Sequence, residues 1–471
     1  MPWFETITYR ELWKRIGAVA SALANAPWQP VQPEDRVCVL GFASADYATI
    51  DMALVQLGAV CVPLQTSAPV SQLRPIVAET QPRVFASGID DLGDAVELVL
   101  TGYMPARLVV FDYRPEVDDQ REAFDAARAR LAEAGSPVLV ETLAELLERE
   151  ESLPPTPKFL PDDDDDPLRL LVYKSGSTGA PKGAMYPERL VVNFWRRSRW
   201  NWGGSSVEPS ITLNFMPMSH VRGRGILYGT LRHGGTAYFT ARSDLSTLFE
   251  DLALVRPTEL NFVPRIWDML FSEFQSEVDR RSIDGADRAA LEAKVMAEMA
   301  YNLLGGRFVS AMTGSAPISA ENKEFVEAVL DLHLVEGYGS TEAGIIYIDG
   351  QVRRPAVIDY KLIDVPDLGY YHTDQPYPRG ELLVKTRDLF PGYYKRPEVT
   401  ADVFDPDGYY RTGDVVAEVG PDHLVYLDRR MVAFLEVGCV CPPSSIALRR
   451  IRVVGAGIHL RARHPEWVTT R

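Results

Sequence analysis

A nine-residue segment, Ser175 to Gly183, concentrates residue types that bind phosphate. It contains two serines, one threonine, three glycines and one lysine, Lys182. Glycines let backbone N–H groups approach an anion closely, while hydroxyl groups and a lysine ammonium add donors and positive charge. The segment therefore predicts an anion-binding loop. A flexible surface loop is the alternative that composition alone leaves open.

Two common nucleotide-binding motifs do not fit this segment. The P-loop pattern requires a glycine five positions after Gly176, where the chain has Pro181, and a hydroxyl residue after the lysine, where it has Gly183. The dinucleotide-binding fingerprint requires a G-x-G start, which the segment lacks. Neither a P-loop NTPase nor a dinucleotide-binding protein is therefore indicated.

The elements around the loop alternate between helix and strand. Thr8 to Glu11 is a capping box that opens an amphipathic helix. Strand-like Arg36–Gly41, helix-like Asp46–Val60 and strand-like Val60–Leu64 predict a βαβ unit and a parallel sheet. The apolar run Leu168–Tyr173 predicts the strand that leads into the loop.

Composition divides the chain into four parts. We expect an N-terminal α/β subdomain over residues 1–160, a second α/β subdomain with the phosphate loop over 161–345, and a β-rich subdomain over 346–430. The aspartate run Asp162–Asp166, at the start of the second part, is predicted to be a solvated linker. Residues 431–471 contain no lysine and six arginines, and we do not expect them to form a folded domain of the same kind.

The bulk properties exclude several classes of protein. A formal net charge of −16 argues against general nucleic-acid binding, which needs a basic face. No apolar run reaches the roughly 18 residues of a membrane span. The four cysteines, among them the C-x-C pair Cys439 and Cys441, form no disulfide framework or metal-type spacing. These features predict a cytoplasmic protein without a membrane span.

Further polar and glycine-rich segments follow the loop in a fixed order: Gly183–Pro187, Asn214–His220, Thr313–Ile318, Glu336–Glu342, Gly380–Leu383, Gly392–Tyr394 and Tyr410–Asp414. Together with the loop, they make residues 5–430 resemble the adenylate-forming superfamily of acyl-CoA ligases, peptide-synthetase adenylation domains and luciferases. Within it, the chain is most similar to the adenylation part of bacterial carboxylic acid reductases, also called fatty-acid–CoA ligases. The resemblance implies an α/β fold of parallel-rich sheets and helices with a small β-rich subdomain.

The resemblance also implies chemistry: a carboxylate attacks the α-phosphate of ATP, pyrophosphate leaves, and an acyl-adenylate remains. It implies that the loop holds the leaving phosphates through Ser175, Ser177, Thr178, Gly179 and Lys182. Thr341 would contact the α-phosphate, and Glu342 would hold Mg²⁺ between phosphates. Catalysis of this kind consists mainly of positioning and electrostatic stabilisation.

The remaining implied contacts concern the nucleoside and the acid. Glu336, Gly337 and Tyr338 would form the adenine slot, and Asp414 would accept hydrogen bonds from the ribose hydroxyls. His220 and Ser315 would border the acid and the adenylate. The resemblance places a further strand segment, Tyr426, Leu427, Asp428 and Arg429, beside the ribose or phosphate. A structural role for His220, a turn role for Asp414 and a plain salt bridge for Arg429 stay open.

The sequence departs from the family pattern at two places. Lys174 stands where the family usually has a small hydroxyl residue, so that an extra cation precedes the loop. After Arg430 the chain does not follow the family's hinge and small C-terminal domain, which carries a lysine that promotes adenylation. We interpret residues 431–471 as the product of a frameshift or truncation. The family's downstream phosphopantetheine carrier and NADPH-dependent reductase have no counterpart site in these residues.

Three hypotheses follow for function. The first is an ATP-dependent carboxylate-adenylating fragment of a reductase, with weakened activity. The second is an acyl-CoA ligase that passes the acyl group to CoA as a thioester. The third is a non-catalytic nucleotide-binding remnant. Aromatic and aliphatic acids all fit the expected apolar pocket, so the identity of the acid stays open.

Overall fold

The computed structural model describes residues 4–149, 153–162, 165–174, 180–196, 210–282 and 287–430. The predictions made for residues 431–471 therefore lie outside the described residues. The helices in the described part are α1 Tyr9–Ala24, α2 Ala45–Leu57, α3 Val70–Thr80, α4 Leu92–Thr101, α5 Asp118–Glu133, α6 Leu143–Glu148, α7 Glu188–Arg196, α8 Val221–Arg232, α9 Leu248–Val255, α10 Pro264–Arg281, α11 Arg288–Glu298, α12 Ala320–Leu330 and α13 Pro397–Asp402.

The strands are short and spread over the whole described chain. They are β1 Arg36–Leu40, β2 Val60–Leu64, β3 Val84–Gly88, β4 Arg107–Phe111, β5 Leu139–Thr142, β6 Leu168–Lys174, β7 Lys182–Pro187, β8 Ile211–Asn214, β9 Thr236–Phe239, β10 Glu259–Asn261, β11 Ser310–Gly314, β12 Leu334–Ser340, β13 Gly344–Ile348, β14 Gln351–Val352, β15 Val357–Ile363, β16 Arg379–Thr386, β17 Tyr410–Gly420 and β18 His423–Arg429.

The first sheet has the order β5-β4-β3-β1-β2-β6-β7 among the described strands. All its pairings are parallel except β6 with β7. Strands β1, β3 and β4 are apolar and almost fully buried, as expected for a parallel sheet covered by helices on both faces. The predicted βαβ unit and the capping box at Thr8 are confirmed.

The second sheet is parallel at one edge and antiparallel over the rest of its strands. Strands β10, β11 and β12 are parallel, and the following pairings, from β12 through β13, β14, β18, β17 and β16 to β15, are antiparallel. Strands β8 and β9 form a separate parallel pair. The predicted α/β class with parallel-rich sheets and a β-rich part is confirmed. The first sheet includes strands on both sides of the predicted boundary at 160, and the second includes strands on both sides of the boundary at 345. The division into subdomains stays a prediction.

One part of the first half differs from its prediction. The charged, alanine-rich composition of residues 115–150 predicts one or two exposed helices, and α5 and α6 are present. Strand β5 lies between them and pairs with β4 at the edge of the first sheet. Leu143 and Leu146 of α6 are buried, so this helix contributes to the core. Four residues of mixed polarity carry too little periodicity to predict such an edge strand.

No helix in the described residues is long and apolar enough to cross a membrane.

A buried ion pair joins helix α8 to helix α2. The Nη1 atom of Arg224 in α8 lies 2.8 and 2.7 Å from the two carboxylate oxygens of Asp51 in α2, and the Tyr228 hydroxyl donates to the same carboxylate. The Nε atom of Arg224 donates to the carbonyl of Met218 at 2.7 Å. Arg224 therefore fixes the segment before α8 to the N-terminal half.

We expect Asp51→Asn to lower the free energy of unfolding by about 3–5 kcal/mol, because it leaves the buried Arg224 without a counter-charge. Urea denaturation measures this change. Asp118→Asn is the matched control, since its pair with Arg121 is exposed and such pairs contribute little. An unchanged urea midpoint for Asp51→Asn would contradict the assignment.

Candidate active site

The candidate site lies where strands of the two large sheets end. Strands β11 and β12 are parallel, with Gly314 opposite Gly337, so their carboxyl ends meet at one edge. The chain continues from β12 into Thr341 and Glu342. Strand β6 ends nearby at Lys174, which contacts Glu342. Ligands of open α/β sheets bind in the crevice outside the carboxyl ends of the strands.

The phosphate loop itself lies outside the described residues at Ser175, Ser177, Thr178 and Gly179, whose roles stay predictions. Its two flanks are described, and they form an antiparallel pair with Lys174 opposite Lys182. At Gly183 an added Cβ would lie 2.7 Å from the ring of Tyr173, so only glycine allows this close pairing. The hairpin therefore holds two lysines at the mouth of the loop.

Glu342 is the most enclosed acidic group of the site, with a side chain that has no exposed surface. Its Oε1 atom accepts hydrogen bonds from Lys174 Nζ at 2.5 Å and from the Tyr393 hydroxyl at 2.6 Å. Burial raises the pKa of Glu342, but Lys174 and these hydrogen bonds outweigh burial, and the net pKa lies below its ordinary value. The carboxylate is therefore ionised at neutral pH.

The second oxygen of this carboxylate, Oε2, is buried and has no hydrogen-bond partner among the described residues. An unpaired anionic oxygen inside a protein is unfavourable unless a ligand compensates it. Mg²⁺ is usually bound by one or two carboxylates together with substrate phosphates, so a single glutamate at the phosphate loop fits this ion. In the described residues no group of three or more His, Cys, Asp or Glu side chains forms a protein-only metal site.

Lys182 also approaches Tyr393, with its Nζ atom 5.8 Å from the centre of the ring. The Tyr393 segment reaches this place because Gly392 and Tyr394 form backbone hydrogen bonds with strand β7. Burial and then the neighbouring Lys174 lower the pKa of Lys182. Two ammonium groups that repel each other favour a shared anion between them.

A second cluster faces the site from strands β12, β17 and β18. The hydroxyl of Tyr338 donates to Asp414 Oδ2 at 2.6 Å, and Arg429 Nε lies 3.1 Å from Asp414 Oδ1. Burial raises the pKa of Asp414, although Tyr338 and Arg429 oppose the shift. Burial and then Asp414 raise the pKa of Tyr338 well above its ordinary value, so the phenol keeps its proton and remains a donor.

Two further aromatic rings, those of Tyr347 and Tyr426, extend this cluster. Tyr338 stacks on Tyr347 of β13, with ring centres 4.4 Å apart and planes at 12°, and Tyr426 lies 6.5 Å from Tyr338. Such stacked rings suit a planar base. Glu336 lies further back on β12, where its carboxylate accepts from Lys323 at 2.6 Å. The predicted adenine residues Glu336, Gly337 and Tyr338 are thus brought to one strand.

Not all residues of the predicted β18 segment face this cluster. Arg429 joins Asp414, and Tyr426 approaches Tyr338. Asp428 instead accepts from the hydroxyl of Tyr370 at 3.4 Å, and the side chain of Leu427 is exposed. The pairing with β17 shifts register here, with Asp428 opposite Val415 and Tyr426 opposite Val416, so that Leu427 is an extra residue in β18. This bulge interrupts the alternation of side chains and lets both Tyr426 and Arg429 approach the cluster.

His220 and Ser315 lie at neighbouring turns. His220 caps α8, and its Nδ1 atom accepts from the backbone N–H of Arg222 at 3.2 Å. The surrounding protein and then Arg222 lower the pKa of His220, which favours the neutral imidazole. Ser315 follows β11 with a φ of 74°, a left-handed conformation that is uncommon outside glycine and is concentrated at functional sites. Thr341 accepts from the Tyr186 hydroxyl through its backbone carbonyl.

Comparison with known proteins agrees with this geometry. The sequence pattern of the family described as "AMP-binding enzyme" matches residues 3–394. The chain belongs to the AMP-binding enzyme family. Its fold agrees: the A domain of the carboxylic acid reductase from Segniliparus rugosus, solved in complex with AMP and a co-purified carboxylic acid, superposes with a TM-score of 0.86 at 52% identity and covers 91% of this chain and 68% of that one.

Other members of the AMP-binding enzyme family are similar over the same region. The carboxylic acid reductases of Mycobacterium tuberculosis and Mycobacterium marinum are 70% and 66% identical over 91% of this chain. The adenylation domain of the Mycobacterium chelonae carboxylate reductase superposes with a TM-score of 0.86 at 51% identity, covering 90% of this chain and 65% of that one. The chain spans 36% of the length of the two curated relatives.

Three residues of the candidate site have no predicted role from the sequence. Tyr393 and Tyr347 contact Glu342 and Tyr338, and Lys174 pairs with Glu342 across 168 positions of sequence. Lys174 was noticed only as a departure from the family pattern, and Tyr393 only as part of the motif Gly392–Tyr394. Their partners could not be inferred, because each contact joins segments that meet only through the tertiary fold.

Proposed function

We propose that this chain activates a carboxylic acid with ATP, forming an acyl-adenylate and pyrophosphate. One observation carries the proposal: the buried Glu342 carboxylate has no partner for Oε2 among the described residues, accepts from Lys174 of the loop hairpin and influences the pKa of Asp414. These groups would bind the metal ion, the phosphates and the ribose hydroxyls of one nucleotide. Membership of the AMP-binding enzyme family supports a nucleotide site.

In the proposed reaction an oxygen of the substrate carboxylate forms a bond to the α-phosphorus of ATP. The bond between the α-phosphorus and the bridging oxygen breaks, and pyrophosphate leaves with the electron pair. The role of the chain is to hold both reactants and to compensate negative charge on the phosphate oxygens. Lys182 would bind the departing phosphates, Thr341 the α-phosphate, and Asp414 the ribose hydroxyls.

Glu342 would hold Mg²⁺, which supplies charge neutralisation at the phosphates when bound. Tyr393 and Lys174 orient Glu342 so that Oε2 faces away from their hydrogen bonds. His220 and Ser315 would border the carboxylate of the acid. The neutral imidazole of His220 would leave the negative charge of the carboxylate available for attack, because it does not form an ion pair with it.

The same reaction would serve as the first step of carboxylic acid reduction, as the similarity to carboxylic acid reductases indicates. A phosphopantetheine carrier and NADPH, or CoA in a ligase, would act on the acyl-adenylate after this step. We also propose a cytoplasmic location, where ATP is abundant and where the free thiols of Cys38 and Cys61 stay reduced.

The nucleotide product tests the proposed function. The purified chain is incubated with ATP, Mg²⁺ and a panel of aromatic and aliphatic acids, and the nucleotides are separated by chromatography. We expect acid-dependent formation of AMP, together with a hydroxamate when hydroxylamine is present. Acid-dependent ADP would instead indicate a kinase-type reaction and would overturn the proposal. Thioester formation on addition of CoA would favour the ligase alternative.

Lys174 provides a separate prediction, because its ammonium and a divalent cation bind the same carboxylate. We expect Lys174→Thr to tighten Mn²⁺ binding in the presence of a non-hydrolysable ATP analogue by about fivefold, since a partly exposed ion pair contributes up to about 1 kcal/mol. Electron paramagnetic resonance of free Mn²⁺ measures this affinity. Lys395→Thr is the control, because Lys395 donates to the carbonyl of Glu79 outside the site. Equal or weaker Mn²⁺ binding in Lys174→Thr would count against competition.

A further inference from the structure

Arg222 is a cation that the proposed reaction does not use. It lies in the first turn of α8, two residues after His220, and its Nη2 atom donates to the backbone carbonyls of Phe262 at 3.0 Å and Met312 at 3.3 Å. No acidic side chain of the described residues forms an ion pair with it. Burial lowers the pKa of Arg222 to about 10, so the guanidinium remains charged at neutral pH.

The surroundings of this guanidinium are apolar. Phe262 packs against Phe215 and Trp267, with ring centres 5.6 and 4.8 Å away, and Phe262 and Met312 are themselves buried. Arg222 itself is half-buried, and its charge is only partly compensated by the two carbonyls. The two carbonyls satisfy only Nη2, and the N–H groups on Nε and Nη1 meet no acceptor among the described residues. Nε and Nη1 are not among the buried polar atoms without a partner in the described residues, so both can be reached by water or a ligand.

The location ties Arg222 to the acid rather than to the nucleotide. A Cβ placed on Gly314 would lie 2.8 Å from Arg222 Nη1, so the guanidinium lies directly against the end of β11. Met312 precedes the Ser315 turn by three residues on that strand, and a strand rises by about 3.3 Å per residue. The guanidinium thus lies along the last residues of β11, from Gly314 toward Met312, next to the turn that carries Ser315.

We propose that Arg222 binds a second anionic group of the acid, so that this chain prefers dicarboxylic acids to monocarboxylic acids of equal length. The inference rests on the proposed function, because it concerns the acid that the same site activates. The planar fork of a guanidinium matches a carboxylate bidentately, and Nε and Nη1 offer the donors for this contact. The reacting carboxylate would lie at His220 and Ser315, and the second one at Arg222.

Two stable analogues of the acyl-adenylate test this inference without turnover. Both carry a sulfamoyl linkage in place of the phosphate and acyl chains of equal length, one ending in a carboxylate and the other in a methyl group. Isothermal titration measures the dissociation constant of each analogue for the wild type, Arg222→Met, Arg222→Lys and Arg307→Met. Arg307 also donates to a backbone carbonyl, that of Val255 at 2.7 Å, but lies away from the site.

We expect the wild type and Arg307→Met to bind the carboxylate-ended analogue about ten- to a hundredfold more tightly, as hydrogen bonds to charged groups allow. Arg222→Met will reverse this preference, and Arg222→Lys will retain part of it. Equal binding of the two analogues by the wild type, or an unchanged preference in Arg222→Met, would overturn the inference and leave the proposed function intact. Failure of both analogues to bind would overturn the proposed function, and the inference with it.

Discussion

Replacing Glu342 with glutamine will lower the rate of acid-dependent AMP formation by about two to three orders of magnitude, the size of effect that follows loss of one preorganised electrostatic group. Glutamine keeps the size of the side chain and an oxygen that accepts from the Tyr393 hydroxyl. It removes the negative charge on the buried, unpartnered oxygen Oε2. The substitution therefore weakens metal binding more than it disturbs the fold.

Initial rates measured at increasing Mg²⁺ concentrations separate the two effects. We expect the Mg²⁺ concentration for half-maximal activity of Glu342→Gln to rise, while affinity for AMP without metal stays within a few-fold of the wild type. Glu141→Gln is the matched control, because Glu141 is also buried and ion-paired, with Arg107 at 2.9 Å, but lies in the first sheet. Equal losses of activity in both variants would mean that Glu342 acts only through stability.

Replacing Asp414 with asparagine will weaken the binding of AMP by roughly 10- to 100-fold, because hydrogen bonds to a charged acceptor contribute about 1.5–3 kcal/mol. The carboxylate is buried and held by Tyr338 and Arg429. The phenol of Tyr338 keeps its proton and donates a hydrogen bond to one oxygen of the Asp414 carboxylate. The carboxylate keeps further lone pairs that can accept from the ribose hydroxyls.

Isothermal titration with AMP and with its 2′,3′-dideoxy analogue identifies the ribose as the partner. The wild type will bind AMP more tightly than the analogue, and Asp414→Asn will bind both with similar, weak affinity. Asp405→Asn is the control, because Asp405 is another buried aspartate of the β-rich part and is paired with Lys361 at 2.5 Å. Retained discrimination against the dideoxy compound in Asp414→Asn would contradict the ribose assignment.

The sequence predicted several local elements well. Strand β2 has its expected bounds, β1 and β6 differ from theirs by one residue, and the capping box at Thr8 is present, because apolar runs and capping side chains act over a few residues. The motif that ends in Glu342 and the motif that ends in Asp414 are both brought to the site. The family resemblance, rather than periodicity, supplied the predicted roles of these residues, and those roles stay predictions.

The contacts that tune the site could not be predicted. The pairing of Lys174 with Glu342 and the stacking of Tyr338 on Tyr347 depend on how two sheets and a β-hairpin meet in space. The location of the Arg222 guanidinium also depends on the tertiary fold, because its partners Phe262 and Met312 lie 40 and 90 positions away in the sequence. In β18, bulges in the pairing with β17 decide which side chains reach Asp414, and no pattern in the sequence marks these bulges.

The exchange of labelled pyrophosphate into ATP tests carboxylate activation most directly, because it requires the adenylate-forming step and its reversal but no acyl acceptor. The purified chain is mixed with ATP, Mg²⁺, labelled pyrophosphate and one acid of the panel at a time. We predict that label enters ATP only when an acid is present, and that Glu342→Gln largely abolishes this incorporation. Absence of exchange with every acid, while AMP still binds, would contradict catalysis and identify the chain as a nucleotide-binding protein.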